Sequence, residues 1–469
     1  MKDGNNNTEL KLGHSACPLG ALALLALLAC AKTDNGAASD TSAAASSTQA
    51  SATGCASDNG GITLPAGFCA TVFADTLGHV RHIVVNANGD VYANTWSGAY
   101  YTGPTHPGGF LVAMRDTNKD GKADIVSRFG PDAAHRNEGG TGIGLFNGGL
   151  YAEEGDPSAK RITRYALAAD TLTPRSSGSQ VVVAGLPGKG DHPMHPFVID
   201  RTGSIFMDVG SATNSCQAQN RTLNSPGRNP CTELQTRGGI WRYDANKSNQ
   251  RFSPNERYAT GVRNAVGIAF DANGQLYSTQ HGRDQLYDNW PKLYTPDQGQ
   301  NLPAEELLKI DQGGDYGWPS CYFDNVQQKL VQAPEYGGDG KKVGDCASKR
   351  APEAFFPAHW APDGLVFYTG TQFPTHYRNG AFIAFHGSWN RAPGPQQGYN
   401  VAFVPFTGGK PADASKYEIF ADGFAGAAKT PDGAAHRPTG LTVGPDGALY
   451  ITDDKGGRVW KVVYKGSTK

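Results

Sequence analysis

The chain has 469 residues, with Lys+Arg 42 against Asp+Glu 43 and a net charge of −1. That length allows roughly two or three domains, and that balance excludes a long-range field for nucleic acid or anionic lipid. Gly 61 and Pro 29 are high and Met 4 is low, and short alternating apolar runs replace helix-period stripes, so the composition is that of an all-β protein rich in turns.

At the N-terminus, Lys2 and Lys11 precede an apolar run, Ala21 to Ala29, that closes in Leu27-Leu28-Ala29-Cys30. The run is too short to span a bilayer, where roughly 20 apolar residues are needed. It fits the core of a signal peptide over residues 1–29. The residues before Cys30 resemble a bacterial lipobox, which implies a lipid on Cys30 after cleavage; an ordinary signal with a chance cysteine is the alternative. Residues 30–57 then form a disordered tether, since they are mostly Ala, Ser, Thr, Asp and Gly and cannot build a core. Ala31 after the cysteine implies the outer membrane of a periplasm. The folded domain is expected over residues 58–466.

Cysteine usage agrees with export. Of the eight cysteines, Cys17 lies in the removed segment and Cys30 takes the lipid, leaving Cys55, Cys69, Cys216, Cys231, Cys321 and Cys346. An even set in an oxidising compartment points to disulfides. Several connectivities are open; pairing in sequence order would staple one local loop each. No Cys-x-x-Cys-His occurs, and no Cys/His cluster has zinc spacing.

One pattern recurs along the domain: an apolar run, a polar Asn/Asp-Gly turn, then a second strand often opening with Tyr. It begins at Ile83 (IVVNANGDVYANT), Ile143 (IGLFNGGLYAEE), Phe197 (FVIDRTGSIFMDVG), Gly267 (GIAFDANGQLYSTQ) and Gly440 (GLTVGPDGALYITDD), with a looser copy at Gly364. The turns are hairpin chemistry, with Asn-Gly or Asp-Gly supplying φ > 0 residues where strands reverse. Such hairpins, spaced too widely for a solenoid, predict a six-bladed β-propeller of four-stranded antiparallel blades. A pair of β-sandwiches is the competing fold.

Asp116-Thr117-Asn118-Lys119-Asp120-Gly121-Lys122-Ala123-Asp124 has calcium-loop spacing, with oxygens from Asp116, Asn118, Asp120 and Asp124. Ser127 stands where the bidentate Glu of an EF-hand would be. A plain Asp/Asn-rich hairpin turn explains the stretch equally well.

The stretch Gly261 to Pro319 crowds GVRNAVGIAF, QHGRDQ and EELLKIDQGGDYGWP beside strand ends. With DHPMHPFVIDRTGSIFMDVGS, FHGSWNR and HRPTGLTVGPDGALY in the same order, residues from about Leu64 to Tyr464 resemble the soluble quinoprotein sugar dehydrogenases, the glucose/sorbosone dehydrogenase family. YGGDGKK and PAHWAPDGLVFYTG are most similar to the sorbosone branch. The resemblance implies a six-bladed propeller that binds pyrroloquinoline quinone (PQQ) and calcium.

By that resemblance His192 is the catalytic base. A neutral imidazole suits removal of a hydroxyl proton as hydride leaves the carbon; His195 is the alternative. Arg263 and Asn264 match the cofactor-binding pair, Arg437 a further carboxylate-binding arginine, and Glu305 an acidic residue near the site, with Glu306 beside it. Gly282 and Arg283 match the backbone carbonyls that hold calcium. Val266 departs from a family Gln, and the family lysine has no clear match; Arg391 is the candidate cation and Trp389 a stacking surface. The expected partners are a sugar or aldehyde and an external electron acceptor such as a separate cytochrome c or quinone, with no nucleic acid. A cofactor-free glycan- or protein-binding propeller and a calcium-dependent lactonase are the rival functions on this fold.

Overall fold

The computed structural model describes residues 55–96, 108–132, 138–156, 158–174 and 178–466. The expected signal peptide, Cys30 and residues 31–54 of the expected tether lie outside them. The chain divides into Met1–Ala50 and Ser51–Lys469, and every sheet belongs to the second unit.

Six sheets form the blades. Blade one runs Val80–Val85, Val91–Thr95, Leu111–Arg115, Ile125–Phe129. Blade two is Ile143–Phe146, Gly149–Asp156, Ala159–Ala166 and Ser179–Leu186, with Gln250–Arg251 added in parallel at its edge. Blade three is Phe197–Ile199, Ser204–Val209, Gly239–Asp244 and Arg257–Thr260, and blade four is Ile268–Phe270, Leu276–Gln280, Glu305–Lys309 and Ala354–Phe356. Blade five is Pro362–Phe367, Ala381–Phe385, Asn400–Val404 and Glu418–Ala421. Blade six joins Pro438–Val443, Leu449–Asp453 and Val459–Tyr464 to Phe68–Ala74 from the other end of the domain. Its outer pair runs antiparallel from Phe68↔Tyr464 to Ala74↔Val459.

The recurring hairpin of the sequence is thus the inner pair of strands in every blade. Gly89 (φ 91) and Gly274 (φ 83) occupy the left-handed region that their turns require.

Alternation explains why the blades must stack. In Leu111–Arg115, Leu111 and Ala113 pack with Ile143 and Leu150 of blade two, while Val112 and Met114 pack with Ala448 and Tyr450 of blade six. Each sheet therefore has two apolar faces and needs a neighbour on both. A sandwich would cover only one. Clusters of this kind fill all six gaps, and the innermost strands touch in a closed ring.

Polar staples reinforce the ring. The penultimate residue of three second strands bonds to the next blade: Asn94 Nδ2 to Gly142 O (3.0 Å), Thr279 Oγ1 to Pro362 O (2.8 Å) and Thr452 Oγ1 to Arg81 O (2.6 Å).

The disulfides pair in sequence order: Cys55–Cys69, Cys216–Cys231 and Cys321–Cys346. The last two staple long loops that rise over one face, together with the helices Leu286–Asn289 and Pro296–Asn301. That face carries the approach to each inner strand and the exit from each second strand; the Asn-Gly turns lie on the other.

Trp460 sits at the seam where both ends of the domain meet. It is fully buried, and its Nε1 donates to Gly60 O at 3.0 Å. Trp460→Ala should lower stability by about 3–5 kcal/mol, read as a shifted midpoint in chemical denaturation.

Candidate functional site

A cavity of about 720 Å³ opens where the strand ends converge. Its lining includes His192, Arg263, Asn264, Gly282, Glu305, Trp389 and Arg437, so seven of the residues singled out from sequence share one hollow.

His192 precedes the inner strand of blade three and is buried. Its Nδ1 lies 3.0 Å from Ser211 O and 2.9 Å from Ser211 Oγ. A carbonyl only accepts, so Nδ1 carries the proton and Nε2 keeps the lone pair. Burial and the Arg263 charge hold the imidazole well below its ordinary pKa, hence neutral. His195 is different: fully buried, hydrogen-bonded through Nδ1 to Glu153 at 3.0 Å, and outside the cavity wall.

Arg263 is the hub of the adjoining wall, where its carbonyl accepts from Ser211 N at 2.8 Å. Its Nε donates to Asn214 O (3.0 Å), Nη1 to Gly282 O (3.1 Å) and His281 O (3.4 Å), and Nη2 to Asn214 Oδ1 (2.9 Å) and Asp284 Oδ2 (3.0 Å). Every N–H is engaged by the protein, so Arg263 frames the wall rather than presenting an open fork. Burial opposes the charge on Asp284, but Arg263 and Arg221 hold its carboxyl well below the usual range.

Arg437 leaves more room. It donates Nε to His386 O (3.1 Å) and Nη2 to Gly387 O (2.8 Å), and lies over the Tyr399 ring at 5.6 Å. Nearby, Lys455 lines the cavity and donates to Pro431 O and Asp432 O, both at 2.9 Å. Arg391 is turned away. It donates to Ala358 O (3.0 Å), Gln300 O (3.1 Å) and Asn301 Oδ1 (2.9 Å) and does not line the cavity, which corrects the expectation that it supplies the local cation. Trp389 stands at the rim, 53% exposed.

An ionic cluster that sequence reasoning missed forms the remaining wall. Arg81 bridges Asp454 (2.5 Å) and Asp363 (3.0 Å). Asp363 also faces His281 at 3.1 Å, and Asp454 meets His386 at 2.7 Å. Against burial, Arg81 and His386 hold Asp363 ionised, and His386 and Arg81 do the same for Asp454. Val266, flagged for its departure from a family Gln, is buried with Trp96 and Met194. It packs there and does not line the cavity.

Gly282 and Arg283 follow the second strand of blade four. Gly282 lines the cavity, while the Arg283 side chain leaves it for Glu335, at 2.7 and 2.8 Å. Glu305 accepts from Gly282 N (2.9 Å) and Ala361 N (3.2 Å), tying two loops of the wall together. The Asp116–Asp124 loop lies elsewhere, between the outer strands of blade one. Its oxygens turn onto its own chain: Asp116 accepts from Gly121 N (2.9 Å), Asn118 from Asp120 N (2.9 Å) and Asp124 from Thr117 N (2.7 Å). Among the described residues, no group of three or more His, Cys, Asp or Glu side chains is arranged to hold a metal. The geometry of the loop is that of an Asx-rich turn.

The strand ends of this propeller thus bring a neutral histidine, arginines and a backbone glycine into the wall of one funnel. The chain belongs to the TrAA12-like family, whose model matches residues 62–465. An uncharacterised protein of Borreliella burgdorferi is 31% identical over 220 residues, 46% of this chain and 51% of that protein. The pyrroloquinoline quinone-dependent pyranose dehydrogenase of Coprinopsis cinerea is 27% identical over 233 residues, 43% of this chain and 30% of that enzyme. The chain thus matches about half the length of these relatives, or less. Among solved structures, the calcium structure of the Trichoderma reesei family AA12 enzyme superposes with TM-score 0.67 at 19% identity, covering 86% of this chain and 97% of that one. The holo pyranose dehydrogenase PQQ domain of Coprinopsis cinerea gives TM-score 0.66 at 20% identity, covering 86% and 97%. These likenesses establish the fold, and the quinoprotein resemblance read from the motifs is borne out.

Burial raises Glu305 to about 7 and Glu306 to about 8. The folded chain therefore retains protons that the unfolded chain releases above the ordinary carboxylate value of 4.5. Their contribution to stability is full below that value and declines as pH rises towards 8. Several histidines are buried with a lowered pKa, and once unfolded they titrate near about 6.5 and are mostly neutral a unit higher, so the range above about pH 7.5 isolates the buried acids. The melting temperature should fall between about pH 7.5 and 8.5. Glu306→Gln, which keeps the shape of the protonated acid, should flatten that slope.

Proposed function

We propose that this chain oxidises a sugar, an aldose or sorbosone-like compound, with PQQ and calcium as cofactors and an external electron acceptor. The observation that carries the reading is His192: buried, neutral, fixed by Ser211 in the tautomer that leaves Nε2 basic, and set in the cavity wall. A propeller that only binds glycans has no use for such a base.

The residues present fit the two groups. PQQ is a planar tricarboxylate that needs donors. Arg437, Lys455 and the Asn264 amide border the same hollow and would hold its carboxylates and carbonyls. Arg263 acts behind them by fixing Asn214, Gly282 and Asp284. The Gly282 and Arg283 carbonyls would hold the cation, a hard ion that favours oxygen ligands. When bound, the quinone supplies a carbonyl carbon that accepts hydride and the cation supplies Lewis-acid polarisation.

This chain's own part is binding, orientation and the proton. Nε2 of His192 takes the proton of the sugar hydroxyl being oxidised, and the proton stays on that imidazole, stabilised by Asp284. Trp389 offers its exposed ring to the C–H face of a sugar. The three disulfides fit an oxidising compartment. Our reading of the N-terminus completes the picture: a periplasmic lipoprotein held at the outer membrane through Cys30.

Protein loaded with PQQ and Ca²⁺ should reduce an artificial dye when aldoses are added, and a chelator should abolish this. His192→Ala should lower kcat/KM by about 10²–10⁴-fold. Dye reduction at the parental rate by that variant would remove the proposed base.

The depressed pKa of His192 sets a second expectation. Its base form persists where an ordinary imidazole is already half protonated, so the acid limb of kcat/KM should lie well below the ordinary imidazole value of about 6.5. A limb at or above about pH 6.5 would contradict the buried neutral state.

A further inference from the structure

We propose that Glu233 is a positioning residue for His192, holding from outside the cavity the turn over residues 211–213 that fixes both the ring and the backbone of the base; this rests on the sugar-oxidising reading above. Glu233 stands on the short helix Thr232–Gln235, is buried, and does not line the cavity.

His192 hangs on that turn twice. Its ring gives the Nδ1 hydrogen to Ser211, and the residue before it, Asp191, donates its N–H to Ala212 O at 2.9 Å. The turn is held in its place by Glu233. Oε2 accepts from Ala212 N (2.9 Å) and Thr213 N (3.1 Å), and Oε1 accepts from Thr213 Oγ1 (2.6 Å). One carboxylate thus gathers three donors from two consecutive residues. Thr213 Oγ1 also accepts from Cys216 N at 2.9 Å, and the Cys216–Cys231 disulfide closes this loop two residues before Glu233. Arg228 stays 3.7 Å from Oε1, beyond hydrogen-bond length. The carboxylate therefore directs its contacts to the turn.

The tautomer of the base depends on this clasp. A serine hydroxyl can accept from an imidazole N–H or donate to a bare imidazole nitrogen. If Ser211 donated to Nδ1, the ring hydrogen would sit on Nε2 and the lone pair facing the substrate would be lost. Thr213 O prevents this by taking the Ser211 hydroxyl hydrogen at 2.7 Å, which leaves Ser211 Oγ to accept from Nδ1. Thr213 keeps its carbonyl in that position because Glu233 grips the same residue by its N–H and its hydroxyl. Once Thr213 is released, the Ser211 hydroxyl is free to turn onto Nδ1 and the ring to move its own hydrogen to Nε2. An orienting group behind a histidine base acts in this way, by selecting one tautomer and one ring position.

The test is nitrogen-15 NMR of the purified protein with labelled histidine at neutral pH, the His192 signals being those absent from His192→Gln. Ring nitrogens with and without hydrogen resonate far apart, so the tautomer is read with neither cofactor nor substrate present. The parent should show Nδ1 protonated and Nε2 bare. Glu233→Ala, checked for folding by its melting curve, should lose that single tautomer and show hydrogen on Nε2. Glu233→Gln offers one oxygen to three donors and should shift the ring the same way by less. If the alanine variant does not fold, the glutamine variant decides. A folded variant that keeps the parent's ring signals, or a parent with the hydrogen on Nε2, overturns the inference. In protein loaded with PQQ and calcium, Glu233→Ala should lower kcat for dye reduction by about ten- to a hundred-fold and leave KM little changed. Failure of the loaded parent to reduce dye with any aldose would instead overturn the dehydrogenase reading, and the ring signals would still decide this one.

Discussion

The two-sided burial of each small sheet is the constraint from which the rest follows. A blade with Leu111 facing one neighbour and Val112 the other cannot end in solvent on either side. Six such sheets satisfy one another only by closing, and the last is completed by Phe68–Ala74 from the start of the domain. At that seam Phe68 meets Phe373, Tyr377 and Phe420 edge-on at 4.8, 5.2 and 5.0 Å. Closure brings the ends of the inner strands to one axis, so whatever residues stand there are forced together and largely out of water.

That crowding dictates the chemistry of the funnel. Charges buried at strand ends survive only when paired and hydrogen-bonded. Arg81 therefore spans Asp363 and Asp454, and Arg263 takes five acceptors at once. These pairs do not explain stability so much as shape. They fix the wall before any ligand arrives, which is the preorganisation that binding and catalysis both need. The same burial strips His192 of its proton while leaving Glu305 and Glu306 reluctant to lose theirs.

The fold was legible because period-two alternation and Asn-Gly turns are local signals. All six inner hairpins could be read from them, as could the disulfide pairing by nearness in sequence. The site was legible where a motif carried it, as with His192, Asn264, Gly282 and Arg437. Asp284, His386 and Asp363 were missed although they lie inside quoted motifs, because a carboxylate or imidazole there looks like any turn residue. Part of the missed signal is phase. His281, His386 and Asp454 all follow the second strand of their repeats immediately, the position that the ring turns toward the axis. Arg391 failed for the opposite reason. Its sequence neighbourhood was right, but Ala358 O, Gln300 O and Asn301 Oδ1 make a better cage for a guanidinium than the cavity does.

The unengaged groups of the funnel divide by chemistry. Donors with room for a ligand, Arg437, Lys455 and Asn264, are the natural hold on an anionic ring. The lone pair of His192 Nε2 is of no use to a carboxylate, which it would repel. It suits a second molecule that brings a hydroxyl. On the proposed reading, a cavity with both would hold two ligands side by side, one charged and one neutral. That is the arrangement a hydride transfer between a quinone and a sugar demands, and it follows from which lone pairs and N–H groups the ring closure leaves open.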